Sequence, residues 1–220
     1  MITMAGHCGR TIIRAAAPIF AAILLALGIG CWSNAARADG CAAAELVVAR
    51  GTHEPGYLGA VVGDPLYAAV SETVTVSVGA YAVRYPADLL DPASVSTGTT
   101  DLVDHLIARS ARCPGQRYII AGYSQGALVV HGALGTGVMA LMPGIRQLPP
   151  AIAPHIAAVL LFGDPLRLNA WSVTDMYAGR TRNFCAPGDP ICELGAMNPD
   201  AHVGYRDTIA AAADFAAHLL

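Results

Sequence analysis

Three side chains far apart in the sequence, Ser124, Asp189 and His202, are of the types that together turn an alcohol into a nucleophile. A serine hydroxyl attacks poorly at neutral pH unless a base takes its proton, and the base needs an acid to hold its orientation. Ser124 is the centre of Gly122-Tyr123-Ser124-Gln125-Gly126, a G-x-S-x-G pattern. The pattern alone is weak evidence in a glycine-rich chain, and its setting is what gives it weight. It follows the apolar run Tyr118-Ile119-Ile120-Ala121 and precedes the helical run Ala127 to Leu134. The glycines permit a sharp turn from strand to helix that lifts the hydroxyl clear of a sheet, and the helix brings its positive N-terminal end beneath the site.

Seven histidines are candidates for the base. His7 lies near the chain start. His105, His131 and His218 fall in predicted helices and read as solvated or core-satisfied residues, and His155 follows a proline-rich loop. His53 is the competitor, because it stands at the end of the first strand and could border the site. His202 is favoured: it lies in the loop before the last helix and after the candidate acids in chain order. Two aspartates compete as the acid. Asp164 directly follows an apolar strand, whereas Asp189 lies between Cys185 and Cys192, where a closed loop can hold a carboxylate against an imidazole. Asp189 is favoured, with Asp164 turning the chain before Pro165.

The elements that must position these residues alternate. Leu46 to Ala49, Val74 to Val83, Tyr118 to Ala121, Ala157 to Phe162 and Thr181 to Cys185 read as strands. Between them, Gly63-Asp64-Pro65-Leu66 starts a helix with Asp64 as cap, and Ser94 to Ala111 places Leu102, Leu106 and Ile107 on one helical face. A last helix runs from about Arg206 to Leu220. Strands separated by helices predict an α/β fold with a mostly parallel sheet covered on both faces. The chain shows no internal repeat and no second domain.

The first 38 residues read as an export signal. Arg10 and Arg14 give a basic start, an apolar stretch runs from Ala15 to about Trp32, and Ala36-Arg37-Ala38 offers a small-x-small cleavage site. The expected mature domain is therefore 39–220, one domain by length. It carries ten arginines, no lysine and sixteen acids, a formal charge of −6. Such a chain lacks the basic face that nucleic acid requires, and it has no electrostatic attraction to anionic membranes. No stable membrane insertion is expected after cleavage. Cys41, Cys113, Cys185 and Cys192 remain, an even set that suggests two disulfides in an exported protein. The short loop with proline and glycine between Cys185 and Cys192 favours that pair, which leaves Cys41 with Cys113.

Four ordered pieces resemble the cutinase family of α/β-hydrolases over essentially the whole expected mature chain. They are Ala49-Arg50-Gly51-Thr52, the G-Y-S-Q-G at 122–126, the C-x-x-x-D-x-x-C loop from Cys185 to Cys192, and H-x-x-Y from His202 to Tyr205. The resemblance implies a three-layer α/β/α fold with a central five-stranded sheet and no lid. It implies Ser124, Asp189 and His202 as the triad, and an oxyanion hole built from the backbone N–H groups of Thr52 and Gln125 with the Thr52 hydroxyl. His53 departs from the pattern, which more usually carries a smaller polar residue there.

The expected activity is hydrolysis of short- to medium-chain acyl esters through an acyl-enzyme, on a small-molecule, lipid or polymer substrate, with no metal or cofactor. Leu58 and Leu194 are candidates for the acyl pocket, with a place in the core as the alternative for either. Acetylxylan esterase, phospholipase or thioesterase activity on the same fold, and an idle secreted binding or antigenic protein, are the alternatives. The expected location is extracellular or in the cell envelope.

Overall fold

The computed structural model describes residues 40–220. The expected export signal, its cleavage site, and Cys8 and Cys31 lie outside the described residues. Five strands form one sheet: β1 (Ala44–Ala49), β2 (Val78–Ala82), β3 (Arg117–Tyr123), β4 (Ile156–Phe162) and β5 (Thr181–Phe184). Their order is β2-β1-β3-β4-β5, and every neighbouring pair is parallel. The long helices are α1 (Gly63–Thr73), α2 (Ser94–Arg112), α3 (Gln125–Ala133) and α4 (Ile209–Ala217).

β1, β3 and β4 are buried along their length because helices cover both faces, which is why they read as continuous apolar runs. Side chains alternate between two cores. Val47, Ile120, Val159 and Leu161 join Leu102, Leu106 and Val129 on the α2–α3 side. Leu46, Ile119, Leu160 and Phe162 join Leu66, Val70, Ile209 and Ala213 on the α1–α4 side.

Three boundaries differ from the sequence reading. Val74 to Ser77 belongs to the connection after α1 rather than to a strand, since the Val74 N–H still bonds Val70 O. Asp64 does not cap its own helix: Val62 is the cap, and Asp64 Oδ1 accepts from Leu58 N at 3.0 Å. The last helix opens with a 3-10 turn at Arg206–Thr208 and ends at Ala217. Cys41 bonds Cys113, and Cys185 bonds Cys192. Among the described residues, no helix is long and apolar enough to cross a membrane.

Candidate active site

The turn at Ser124 is forced by its neighbours. The residue has φ +54°, a left-handed conformation that a side chain adopts only under constraint. β3 ends at Tyr123 and α3 begins at Gln125, so a single residue reverses the chain direction. A Cβ on Gly126 would stand 1.9 Å from the carbonyl oxygen of Ala49, so only glycine lets α3 approach the end of β1 this closely. The serine side chain thereby projects from the C-terminal edge of the sheet, at the positive end of α3.

Residues from three separate segments meet there. His202 Nε2 is 2.9 Å from Ser124 Oγ, and His202 Nδ1 is 2.8 Å from Asp189 Oδ2. Asp189 is fully buried, and its second oxygen accepts from the N–H of Ile191 at 2.8 Å. The segment that carries His202 is a 3-10 turn, Pro199–Val203, fastened by the Tyr123 hydroxyl donating to the carbonyl of His202 at 2.6 Å. Burial, with the nearby charges of Glu54 and Asp189, pushes the Tyr123 phenol well above its ordinary range, so it remains a donor.

The turn after β1 faces the serine from the other side. Gly51 N–H donates to Glu54 Oε2 at 2.7 Å, His53 N–H to Ala87 O at 2.8 Å, and Glu54 N–H to Gly51 O at 3.2 Å. The N–H of Thr52 is left without an acceptor among the described residues. Gln125 is the first residue of α3, where N–H groups have no partner within the helix. Its side chain is consumed elsewhere: Nε2 donates to Asp88 O at 3.1 Å, and Oε1 accepts from the Ser94 hydroxyl at 3.4 Å. Glu54 is buried and bridges two segments, its Oε1 accepting from Val61 N at 2.6 Å. Desolvation raises its carboxyl above the usual glutamate range, against the backbone donors that oppose the shift.

A cleft of 410 Å³ opens over Ser124 and His202, and Thr52, Val61, Leu89, Ile191 and Val203 are among its walls. Leu89 is 72% and Val203 60% exposed, so the cleft has an apolar rim open to solvent.

The family model of cutinase matches residues 40–220. The chain belongs to the cutinase family. Its class is that of a carboxylic ester hydrolase. It is 37% identical to carboxylesterase Culp1 of Mycobacterium tuberculosis, over 96% of this chain and 97% of that protein. It is 38% identical to phospholipase Culp4 of the same organism, over 76% of this chain and 73% of that one. Among solved structures, Trichoderma reesei cutinase in complex with a phosphonate inhibitor superposes with a TM-score of 0.68 at 29% identity, covering 81% of this chain and 77% of that chain.

Within this site, the residues in competition at the sequence level separate by contact. His53 borders the cleft but does not bond the serine: its side chain is 69% exposed and its Nε2 faces Asp88 Oδ1 at 3.4 Å. Asp164 bonds His131 rather than His202 and caps the turn at Pro165, accepting from Leu166 N at 3.0 Å. His105 is satisfied by Glu45 at 2.8 Å and stacks on Tyr81. The two acyl-pocket candidates are corrected. Leu58 is in the core on the α1–α4 side, and Leu194 is 86% exposed and outside the cleft wall. The apolar walls come instead from Val61, Leu89, Ile191 and Val203. Sequence reasoning had no signal for them, since they sit on different loops. It also gave Glu54 and Tyr205 no contact to make. Among the described residues, no group of three or more His, Cys, Asp or Glu is arranged to hold a metal ion.

Proposed function

We propose that this esterase hydrolyses short- to medium-chain acyl esters in two steps through an acyl-enzyme on Ser124. Ser124 Oγ attacks the ester carbonyl while its proton passes to His202 Nε2, and Asp189 holds the imidazole and offsets the charge it gains. The carbonyl oxygen becomes an oxyanion received by the N–H groups of Thr52 and Gln125 and by the Thr52 hydroxyl. Such donors act on charge that is absent from the ground state, and losing one costs about 3 kcal/mol of barrier. Collapse breaks the bond to the alkoxy oxygen, which leaves as the alcohol with the proton from His202. Water then gives a proton to His202 and attacks the acyl carbon; the bond from that carbon to Ser124 Oγ breaks, Oγ takes the proton back from His202, and the carboxylic acid leaves.

The observation that carries this reading is the unbroken chain from Ser124 Oγ through His202 to Asp189, at 2.9 Å and 2.8 Å. The test is Ser124→Ala, which is expected to abolish turnover of p-nitrophenyl butyrate and labelling by a fluorophosphonate. Retained activity in that variant ends the proposal.

The identity to phospholipase Culp4 and the apolar rim at Leu89 and Val203 favour a second substrate class on the same residues, phospholipid acyl esters. Rates across acyl lengths from acetate upward, set beside fatty-acid release from phosphatidylcholine vesicles, separate the two. The leader-like sequence pattern at 1–38 and two disulfides support export to an oxidising compartment. N-terminal sequencing of the protein recovered outside the cell is expected to begin at Asp39.

A further inference from the structure

Asp189 Oδ2 carries two donors at once. One is His202 Nδ1 and the other is the hydroxyl of Tyr205, at 2.8 Å and 2.5 Å. Both Asp189 and Tyr205 are fully buried. The phenol oxygen in turn accepts from the N–H of Ala186 at 3.3 Å, so it is tied to the start of the disulfide-bracketed loop as well as to its acid. The ring cannot swing away. Phe162 packs edge-on to it at 5.9 Å and Tyr123 at 5.7 Å. Gly163 leaves the room that this needs: a Cβ there would lie 3.1 Å from the phenol oxygen and 2.8 Å from His202 Cε1.

We propose that Tyr205 is a positioning residue of this reaction centre: by sharing Asp189 Oδ2 with His202, it fixes which carboxylate oxygen meets the imidazole and moderates how strongly that oxygen holds the imidazole proton. The inference rests on the roles given above to Ser124, His202 and Asp189. A hydrogen bond to an ionised acceptor in a dry setting is about twice as strong as a neutral one, and it spreads the charge it meets. With the phenol present, Oδ2 is pinned and less basic. Without it, the carboxylate is held only by its bonds to Ile191 and His202 and turns more freely, and its full charge favours the protonated imidazole. Desolvation and the charge of Asp189 push the phenol far above its ordinary range, so it donates throughout the working pH range.

The other ionisable groups nearby are engaged elsewhere. Tyr123 donates to the His202 carbonyl, Glu54 holds the turn after β1, and Glu193 accepts from Gly188 N within the Asp189 loop. Asp164, next to Gly163, bonds His131 and Asn183, and Asp200 is exposed. Among the described residues, Asp189 is the sole carboxylate bonded to His202.

The experiment uses purified, disulfide-intact Tyr205→Phe. Its kcat and KM on p-nitrophenyl butyrate are followed from about pH 5 to about pH 9, with a thermal melt alongside. The expected result is a kcat about tenfold lower, a KM within about twofold, and an acid limb displaced upward by about half a pH unit or more. A lower melting temperature with wild-type kcat and an unmoved acid limb overturns the inference, because it leaves the phenol a purely structural role. Fluorotyrosine placed at 205 by suppression keeps the hydroxyl and the fold while making it a stronger donor. Its acid limb is expected to move downward, and an unmoved limb also overturns the inference. Turnover by Ser124→Ala would instead sink the underlying assignment, so the two failures are distinguishable.

Discussion

His131 and Asp164 face each other at 2.9 Å with both side chains fully buried, an imidazole–carboxylate pair like that of His202 and Asp189. No hydroxyl completes it: His131 Nδ1 has no partner among the described residues. Asp164 Oδ2 also accepts from Asn183 Nδ2 at 2.6 Å, and Oδ1 from Leu166 N at 3.0 Å. The pair therefore fastens α3, the end of β4 and β5 to one another. The chemistry proposed to move a proton at His202 and Asp189 serves as a clamp at His131 and Asp164, and what separates the pairs is contact with a hydroxyl.

Asp164→Ala is accordingly expected to cost stability rather than rate. Removing the carboxylate leaves His131 Nε2, Asn183 Nδ2 and Leu166 N without their acceptor, at about 1 to 3 kcal/mol for each that stays buried and unpaired. The urea midpoint should fall sharply, while kcat on p-nitrophenyl butyrate, measured where the variant is still folded, stays within about threefold. Asp189→Ala should lose kcat by about a thousandfold or more. An Asp164 variant that keeps its midpoint and loses turnover would reverse the two assignments.

The two disulfides should separate in the same way. The Cys41–Cys113 bridge closes a span of 72 residues ahead of β1 and behind α2, at the edge of the sheet away from Ser124. Cys185–Cys192 closes a span of only 7 around Asp189. On chain entropy alone, the large loop contributes about 4 kcal/mol and the small one about 2.5 kcal/mol. Cys41→Ala with Cys113→Ala is therefore expected to lower the melting temperature further, and Cys185→Ser with Cys192→Ser to lower kcat further. Equal loss of kcat in both double variants would show that the small bridge does nothing particular for Asp189.

Residues whose signal is local were legible in the sequence, and residues whose role depends on assembly were not. β3 and β4 stood out because a strand covered on both faces is apolar throughout. The turn at Ser124 stood out because its glycines are demanded by close backbone approach, such as that of Gly126 to Ala49. Val74 to Ser77 misled because β-branched residues carry the same signal in an exposed connection as in a strand. Leu58 and Leu194 were read as an acyl pocket on apolarity alone, which does not distinguish core from rim. The actual walls, Val61, Leu89, Ile191 and Val203, come from loops brought together only by the sheet. Tyr205 was visible in H-x-x-Y, yet its bond to Asp189 needs the disulfide loop folded back against the segment that carries His202 and Tyr205.

Glu54 is the remaining residue whose burial no pattern announced, and its effect should be visible in pH. Both of its oxygens accept backbone donors, Gly51 N–H and Val61 N–H, and so hold the turn that presents Thr52. Its pKa lies above the ordinary value of 4.5 in the folded chain because burial disfavours the charge. The folded state thus binds this proton more readily than the unfolded one. The stability Glu54 lends is fully present below about pH 4.5 and is lost as pH rises through the folded value. Glu54→Gln removes the titration, so the urea midpoint of the variant is expected to gain on wild type as pH rises through that window. Rate should move the other way. A glutamine amide has one acceptor oxygen and presents an N–H₂ to the second backbone donor, so the turn loses one tie and Thr52 its register. At about pH 8, kcat is expected to fall about tenfold or more with KM little altered. A Glu54→Gln enzyme with wild-type kcat at that pH would show that the Thr52 turn holds its shape without the carboxylate.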